Sequence, residues 1–228
     1  DAGTAALLAG AFESFEADEQ SLVAILTGAG NTFCAGYDLH SVSDGALIYD
    51  PDAGGPMGPT RMLLSKPVIA AVEGYAVAGG LELALWCDLR IASETAIFGV
   101  FCRRWGVPLI DGGNIRLPRL IGHGRAMDMI LTGRPVHADE AQQFGLANQV
   151  VEAGGALAAA KELATQIAGF PQTCMRTDRK TAHRQWGMPL EEALYMEAVE
   201  GAKPLAEEAV KGAARFSAGA GRSGSFKD

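Results

Sequence analysis

Between Ser21 and Cys87 the chain twice runs an apolar segment of strand length into a cluster of small residues and then into a helical pattern. The first run, Ser21-Leu22-Val23-Ala24-Ile25-Leu26-Thr27, ends in the glycine-rich turn Gly28-Ala29-Gly30-Asn31 and then Phe33-Cys34-Ala35-Gly36-Tyr37-Asp38-Leu39. The second opens at Pro67, continues as Val68–Val72, breaks at Gly74 and enters a helix over about 79–87. Runs with no polar alternation belong to strands buried on both faces, as in parallel sheets covered by helices. A parallel neighbour needs a crossover, and a helix is the usual one. The pattern predicts an α/β fold.

The rest of the chain fills in that plan. Ala5, Leu8, Phe12 and Phe15 mark a helix over 4–19 with Thr4 as its N-cap. A third pair of strands is expected over 89–92 and 96–99, leading through Arg103-Arg104-Trp105-Gly106 to a helix over 112–120. Beyond Gly122 the pattern predicts helices over 122–131, 138–145, 154–169, 173–186 and 190–216, interrupted by one short strand at Gln149–Val151. Pro51, Pro56 and Pro59, with Gly45, Gly54, Gly55 and Gly58, mark 42–58 as a long loop, and the tail 218–224 is expected to fray. Strand–loop–helix units first and helices later give a core over 1–150 and a helical region over 151–228.

Charge and composition remove several function classes. A net charge of −8 argues against nucleic acid, which needs a basic footprint. An anionic ligand would need local help, and Arg61, Lys66, Arg103 and Arg104 are the cations nearest the motifs, each also readable as part of a solvated face. The longest apolar runs, such as Pro67–Val72, fall far short of the roughly 18 residues that span a bilayer. No basic segment leading into an apolar one stands at the start, so the expectation is a cytoplasmic protein. Cys34, Cys87, Cys102 and Cys174 are scattered, as are His40, His123, His137 and His183, which reads as reduced thiols and no metal site.

The chemistry lies where the small residues meet the helices. Ala35-Gly36 before Tyr37, and Ala78-Gly79-Gly80 before the helix bearing Glu82, share one design. Small residues let a ligand approach the backbone, and the first N–H groups of a helix lack internal partners. Two such ends aimed at one point make an oxyanion hole, whereas each alone also fits a tight strand-to-helix turn. Glu82 follows Gly79 by three residues, so its carboxylate shares that helix face, either as an acid/base or as a carboxylate favoured at a helix N-terminus. Asp111, in Pro108-Leu109-Ile110-Asp111-Gly112-Gly113, is either a second carboxylate or the N-cap of the helix over 112–120. Trp86, Phe98, Phe101 and Trp105 suit the core or the wall of an apolar pocket.

Phe33–Leu39, followed by Gly74-Tyr75-Ala76-Val77-Ala78-Gly79-Gly80-Leu81-Glu82-Leu83-Ala84 and Cys87-Asp88, resembles the crotonase (enoyl-CoA hydratase/isomerase) superfamily. The resemblance continues through Gly106–Arg116, Gly122–Gly133 and Ala138–Val151. It implies a spiral of ββα repeats with a C-terminal helical trimerisation region, in a homotrimer or dimer of trimers. It implies a coenzyme A thioester as substrate and no further cofactor, in fatty acid metabolism. The amides of Tyr37 and Gly79 match the family's two oxyanion donors. Ala35, Asp38 and Leu39 would lie against coenzyme A, and Tyr75, Gly80, Cys102 and Leu109 complete the expected substrate-binding set. The family also places strands and a basic loop ahead of the first helix, and these are expected to be missing before Asp1.

The hydratases of the family use a glutamate at the position of Glu82. Their second glutamate should come just after Phe98-Gly99-Val100-Phe101, where this chain has Cys102. An ordinary thiol, with a pKa of about 8.5, cannot hold water as a carboxylate does, and Cys102 also reads as a small buried hydrophobe. Dehalogenases, dienoyl isomerases and naphthoate synthases of the superfamily resemble this chain in carrying an aspartate near Asp111. The expectation is an enoyl-CoA hydratase/isomerase-type enzyme using Glu82 and Asp111. Its rivals are an isomerase, hydrolase or dehalogenase-like enzyme relying on Asp111, and a non-catalytic acyl-CoA-binding protein.

Overall fold

Two β-sheets form the framework of the first part of the chain in the computed structural model, which describes residues 1–45, 49–221 and 224. The chain divides into two compact units, Asp1–Gln166 and Ile167–Asp228. Parts of the expected 42–58 loop and of the fraying tail (46–48, 222 and 223) lie outside the described residues.

Helix α1 (Ala2–Ala17) starts earlier than its apolar spacing predicts. Asp1 is the N-cap, accepting the Thr4 N–H at 2.8 Å, so Thr4 sits inside the first turn. Then come β1 (Ala24–Thr27) and α2 (Leu39–Ser43), the latter capped by Asp38, which accepts the His40 N–H at 2.9 Å. Next are β2 (Val68–Val72), β3 (Tyr75–Val77), α3 (Gly79–Trp86), β4 (Leu89–Ser93) and β5 (Ile97–Gly99). A 3₁₀ turn at Phe101–Trp105 precedes α4 (Gly113–Ile121), α5 (His123–Thr132), β6 (Val136–His137), α6 (Ala138–Phe144), β7 (Gln149–Val151) and α7 (Ala156–Ala168).

One sheet runs β1-β2-β4-β7, all parallel, and the other runs β3-β5-β6. From β2 to β5, successive strands alternate between the two. β2 lies in the first sheet and β3 in the second before α3 leaves, and β4, β5 and α4 repeat the move. The same turn is sketched by β1, the parallel bridge of Cys34 to Ala76, and α2. This is the expected spiral of ββα repeats. Gly74 makes the β2–β3 corner at a φ of +53°, where a Cβ would collide with the Asn31 carbonyl. The strands β3 and β6 were not expected. They are three and two residues long, too short for a periodic signal, and β5 supplies their pairing partner.

All five residues of β2 are buried, as its unbroken apolar run requires. Phe12 of α1 packs edge-on against Trp86 of α3 with centroids 4.7 Å apart. The buried Arg90 side chain donates to the carbonyls of Cys87 (2.7 Å) and Leu146 (2.6 Å), tying the end of α3 to the approach to β7.

In the second unit, α8 (Gln172–Arg184) and α9 (Leu190–Pro204) are linked by Lys180–Glu200 and Arg184–Glu200 ion pairs of 2.7 and 3.1 Å. The single helix expected over 190–216 is divided by a π turn at Leu205–Ala209 before α10 (Val210–Ser217). Pro204 has no N–H to give the ladder, which favours a widened turn at that point. No helix among the described residues is long and apolar enough to cross a membrane.

Helix α3 rests directly on the Cys34 backbone, because a Cβ at Gly80 would overlap the Cys34 carbonyl and Cβ. Backbone cannot swing aside as a side chain can. Gly80→Ala is expected to destabilise the protein by about 3 kcal/mol or more, read as a lowered midpoint in urea; an unchanged midpoint would contradict this packing.

Candidate active site

The bridge at Cys34 brings the two small-residue loops together. Cys34 donates its N–H to the Tyr75 carbonyl (2.9 Å) and accepts that of Val77 (3.1 Å), so Ala35–Tyr37 and Ala78–Gly80 lie side by side. Gly36, at a φ of +101°, abuts the second loop: a Cβ there would meet Ala78 Cβ at 2.9 Å and Gly79 N at 3.1 Å. Ala78 is the one non-glycine residue with positive φ among the described residues, at φ +53° and ψ −126°. Such strain costs on the order of 1–3 kcal/mol and turns β3 into α3 within a single residue. The Ala78 N–H is held by the Gly99 carbonyl at 2.9 Å. Among the described residues, neither the Tyr37 nor the Gly79 N–H has a protein acceptor.

Both residues face a cavity of about 440 Å³. Its walls are mostly apolar, and Ala35, Leu39, Pro56, Met57, Tyr75, Phe101 and Trp105 are among the residues that line it. Trp86 and Phe98 belong to the core instead, whereas Trp105 is 69% exposed and stands at the rim. Two carboxylates, Glu82 and Asp111, and the Cys102 thiol also line it.

Glu82 is 2% exposed. Its Oε1 accepts the N–H groups of Asp111 (2.9 Å) and Gly113 (2.8 Å), and no described residue donates to Oε2. Burial raises its pKa to about 7; the Gly113 N–H opposes that, Asp111 adds to it, and Arg116 pulls the other way. Cys102 is buried, and desolvation, with Glu82 nearby, pushes its thiol above the ordinary range. It therefore remains a neutral S–H over the range in which Glu82 titrates.

Asp111 does not cap the helix after it. The N-cap of α4 is Gly112, in the left-handed region, with no side-chain cap. The Asp111 side chain turns the other way, and its Oδ1 accepts the Met57 N–H at 3.0 Å and the Thr60 hydroxyl. Arg116 braces the same junction, donating to the carbonyls of Asp111 (2.9 Å) and Thr60 (2.7 Å). Met57, Thr60 and Arg116 carried no signal in the sequence. The one available hint was Gly55, where a Cβ would collide with the Thr60 hydroxyl.

Of the residues expected to bind substrate, Ala35, Leu39, Tyr75 and Cys102 line the cavity beside Tyr37 and Gly79. Asp38, Gly80 and Leu109 do not. Asp38 caps α2 with its carboxylate at the surface, Gly80 is pressed onto Cys34, and Leu109 is a core side chain. Lys66 is not available to an anion, because its buried ammonium donates to the carbonyls of Phe15 (2.5 Å) and Asp18 (2.7 Å). Arg61, Arg103 and Arg104 each also donate to backbone carbonyls. Among the described residues no three His, Cys, Asp or Glu side chains gather as metal ligands.

The chain is also similar to known proteins. The family model described as enoyl-CoA hydratase/isomerase matches residues 1–219. A carnitinyl-CoA dehydratase of Proteus mirabilis is 43% identical over 171 residues, covering 74% of this chain and 66% of the relative, just short of two thirds of its length. A carnitinyl-CoA dehydratase of Salmonella typhi is 37% identical over 198 residues, covering 84% of this chain and 75% of the relative. The crystal structure of enoyl-CoA hydratase EchA1 from Mycobacterium marinum superposes with a TM-score of 0.88 at 34% identity, covering 95% of this chain and 86% of that one.

The elevated Glu82 pKa also makes stability depend on pH. Between its ordinary value of 4.5 and about 7, the folded protein holds a proton that the unfolded chain has released. Native stability contributed by this group is present below that window and is lost as pH rises through it, by on the order of 3 kcal/mol. Glu82→Gln is expected to flatten this part of the profile, measured by urea unfolding at pH 5 and pH 8; an identical slope in both proteins would contradict it.

Proposed function

Because the chain belongs to the enoyl-CoA hydratase/isomerase family, we propose that it processes a coenzyme A thioester through an enolate, with Glu82 carrying the proton chemistry alone. The thioester carbonyl oxygen takes the free N–H groups of Tyr37 and Gly79, which strengthen their hold as negative charge develops there. In hydration, the Glu82 carboxylate removes a proton from water as the water oxygen bonds to the β-carbon. The double-bond electrons move toward the α-carbon and the thioester oxygen, forming the enolate. The enolate then takes that proton from Glu82 at the α-carbon, which returns the carboxylate. Dehydration is the same path reversed. Isomerisation uses the same carboxylate to carry a proton between the α- and γ-carbons. Proton transfers and one addition of water account for the whole reaction, so the proposal requires no cofactor beyond the thioester substrate.

The observation that carries this reading is the state of Glu82. One oxygen is fixed by two amides, the other is open, and a pKa of about 7 suits both accepting and returning a proton near neutrality. Cys102, held as a neutral thiol, supplies volume and not a second base. Enoyl-CoA and carnitinyl-CoA thioesters are the substrates to try first, given the names of the relatives. The exposed Leu190, Leu194, Tyr195 and Val199 of α9 support assembly as a homotrimer or dimer of trimers, and four free cysteines support a reducing, cytoplasmic setting.

The test is hydration of crotonyl-CoA and dehydration of carnitinyl-CoA by wild type and Glu82→Gln. Activity in the variant is expected to fall by about 10²–10⁴-fold, with thioester binding kept. In wild type, kcat/KM should climb as pH rises through about 7 and then level off. Tight thioester binding without turnover in wild type would make this a binding protein. An active Glu82→Gln would remove Glu82 from the chemistry.

A further inference from the structure

The second carboxylate in the cavity is already engaged, and its engagements share a direction. Oδ1 of Asp111 holds Met57 N–H and the Thr60 hydroxyl, both in the strap that passes from Gly55 to Arg61. The strap bends on itself where the Gly58 N–H meets the Gly55 carbonyl at 2.8 Å. Gly55 lies so close that any Cβ would strike the Thr60 hydroxyl and Asp111 Oδ1. Met57, fixed by its amide, lays its side chain over the oxyanion loop: a Cβ at Gly79 would fall 2.6 Å from its Sδ and 2.9 Å from its Cγ. On the other side, the Asp111 backbone N–H holds Glu82 Oε1 at 2.9 Å. One residue therefore touches both the wall over the Gly79 amide and the carboxylate that moves the proton.

We propose that Asp111 is a positioning residue whose carboxylate clamps the 55–61 strap over the thioester end of the cavity, while its amide orients Glu82, and that it does not itself transfer a proton. The inference rests on the reading of Glu82 as the acid/base. It explains how a carboxylate can persist beside Cys102 and Glu82 in an apolar cavity without duplicating the work of Glu82. It also assigns Thr60 and Arg116 a purpose, since Arg116 donates to the carbonyls of Asp111 and of Thr60, on both sides of the clamp. The charged or titratable groups facing Glu82 are Asp111, Arg116 from α4 and Cys102 from the 3₁₀ turn. Of these, Asp111 holds the Glu82 proton on and Arg116 favours its release.

Asp111→Asn keeps an acceptor for the strap and removes the carboxylate. Thr60→Val removes only the hydroxyl, Thr60→Ser restores it, and Asp111→Ala removes the clamp. Each is assayed with crotonyl-CoA beside Glu82→Gln, and amide hydrogen exchange is followed in the peptide covering 55–61. In Asp111→Asn, kcat should stay within about tenfold of wild type, unlike the about 10²-fold or greater loss on removing a proton carrier, and the Glu82 limb of the pH profile should move to lower pH. In Thr60→Val and Asp111→Ala, KM should rise and strap exchange should quicken, with Thr60→Ser restoring both relative to Thr60→Val. Loss of kcat in Asp111→Asn as deep as in Glu82→Gln, with strap exchange unchanged, would make Asp111 a proton carrier and overturn the proposal. So would wild-type exchange and KM in Thr60→Val. If wild type turns over neither thioester, the proposed function fails, and strap exchange with the binding constant of crotonyl-CoA still decides the role of Asp111. Should Asp111→Ala not fold, Asp111→Asn and Thr60→Val carry the test.

Discussion

The site depends on one close backbone contact, that of the Cys34–Gly36 segment with Ala78–Gly80. The Cys34 peptide pairs with Tyr75 and Val77, Gly36 leaves no room for a Cβ beside Gly79, and Gly80 leaves none beside Cys34. Two helix approaches separated by some forty residues in the chain become adjacent because nothing larger than hydrogen lies between them. The strained Ala78 is held in place by this packing and by its bond to Gly99. Once the contact exists, two N–H groups are left without protein acceptors at the edge of one cavity, and burying an amide without a partner is unfavourable unless a ligand oxygen supplies it.

Charge is handled sparingly around that cavity. Glu82 enters from the same helix whose first residue, Gly79, presents a free N–H at the cavity, so the spacing between the two is fixed by helical geometry. Its burial would be unfavourable as a bare charge, and the amides of Asp111 and Gly113 offset part of that penalty while leaving the pKa high. Asp111 is treated differently: its side chain is bound by the strap and its backbone serves Glu82. Two buried carboxylates thus sit together with unlike surroundings, which suits separate duties.

Several features are readable from residue order. The apolar runs at Ala24–Thr27 and Val68–Val72 are both parallel strands, but only Val68–Val72 is buried throughout as expected; Ala24–Thr27 lies at the sheet edge and is half-buried, and Gly79–Trp86 is the helix that carries Glu82. Contacts between residues far apart in sequence are not readable in this way. Thr60 and Arg116 are ordinary surface residue types by composition, and only the fold sets them on either side of Asp111. Asp111 before a helix reads either as a second carboxylate of the site or as a cap, and tertiary bonds to Met57 and Thr60 take its side chain away from the cap position. Lys66 reads as a candidate anion site and instead closes the end of α1.

Sequence by itself determined the α/β alternation, the two small-residue turns that allow close backbone approach, and the presence of a glutamate one helical turn beyond Gly79. These are local properties: strand burial, glycine conformation and helix spacing act within a few residues. Tertiary structure alone decided that the two turns meet, that Cys102 stays a neutral thiol, that Glu82 is raised to about 7, and that Asp111 faces the strap. Those depend on desolvation and on donors supplied from other parts of the chain. Neither quantity exists until the chain has folded around the site.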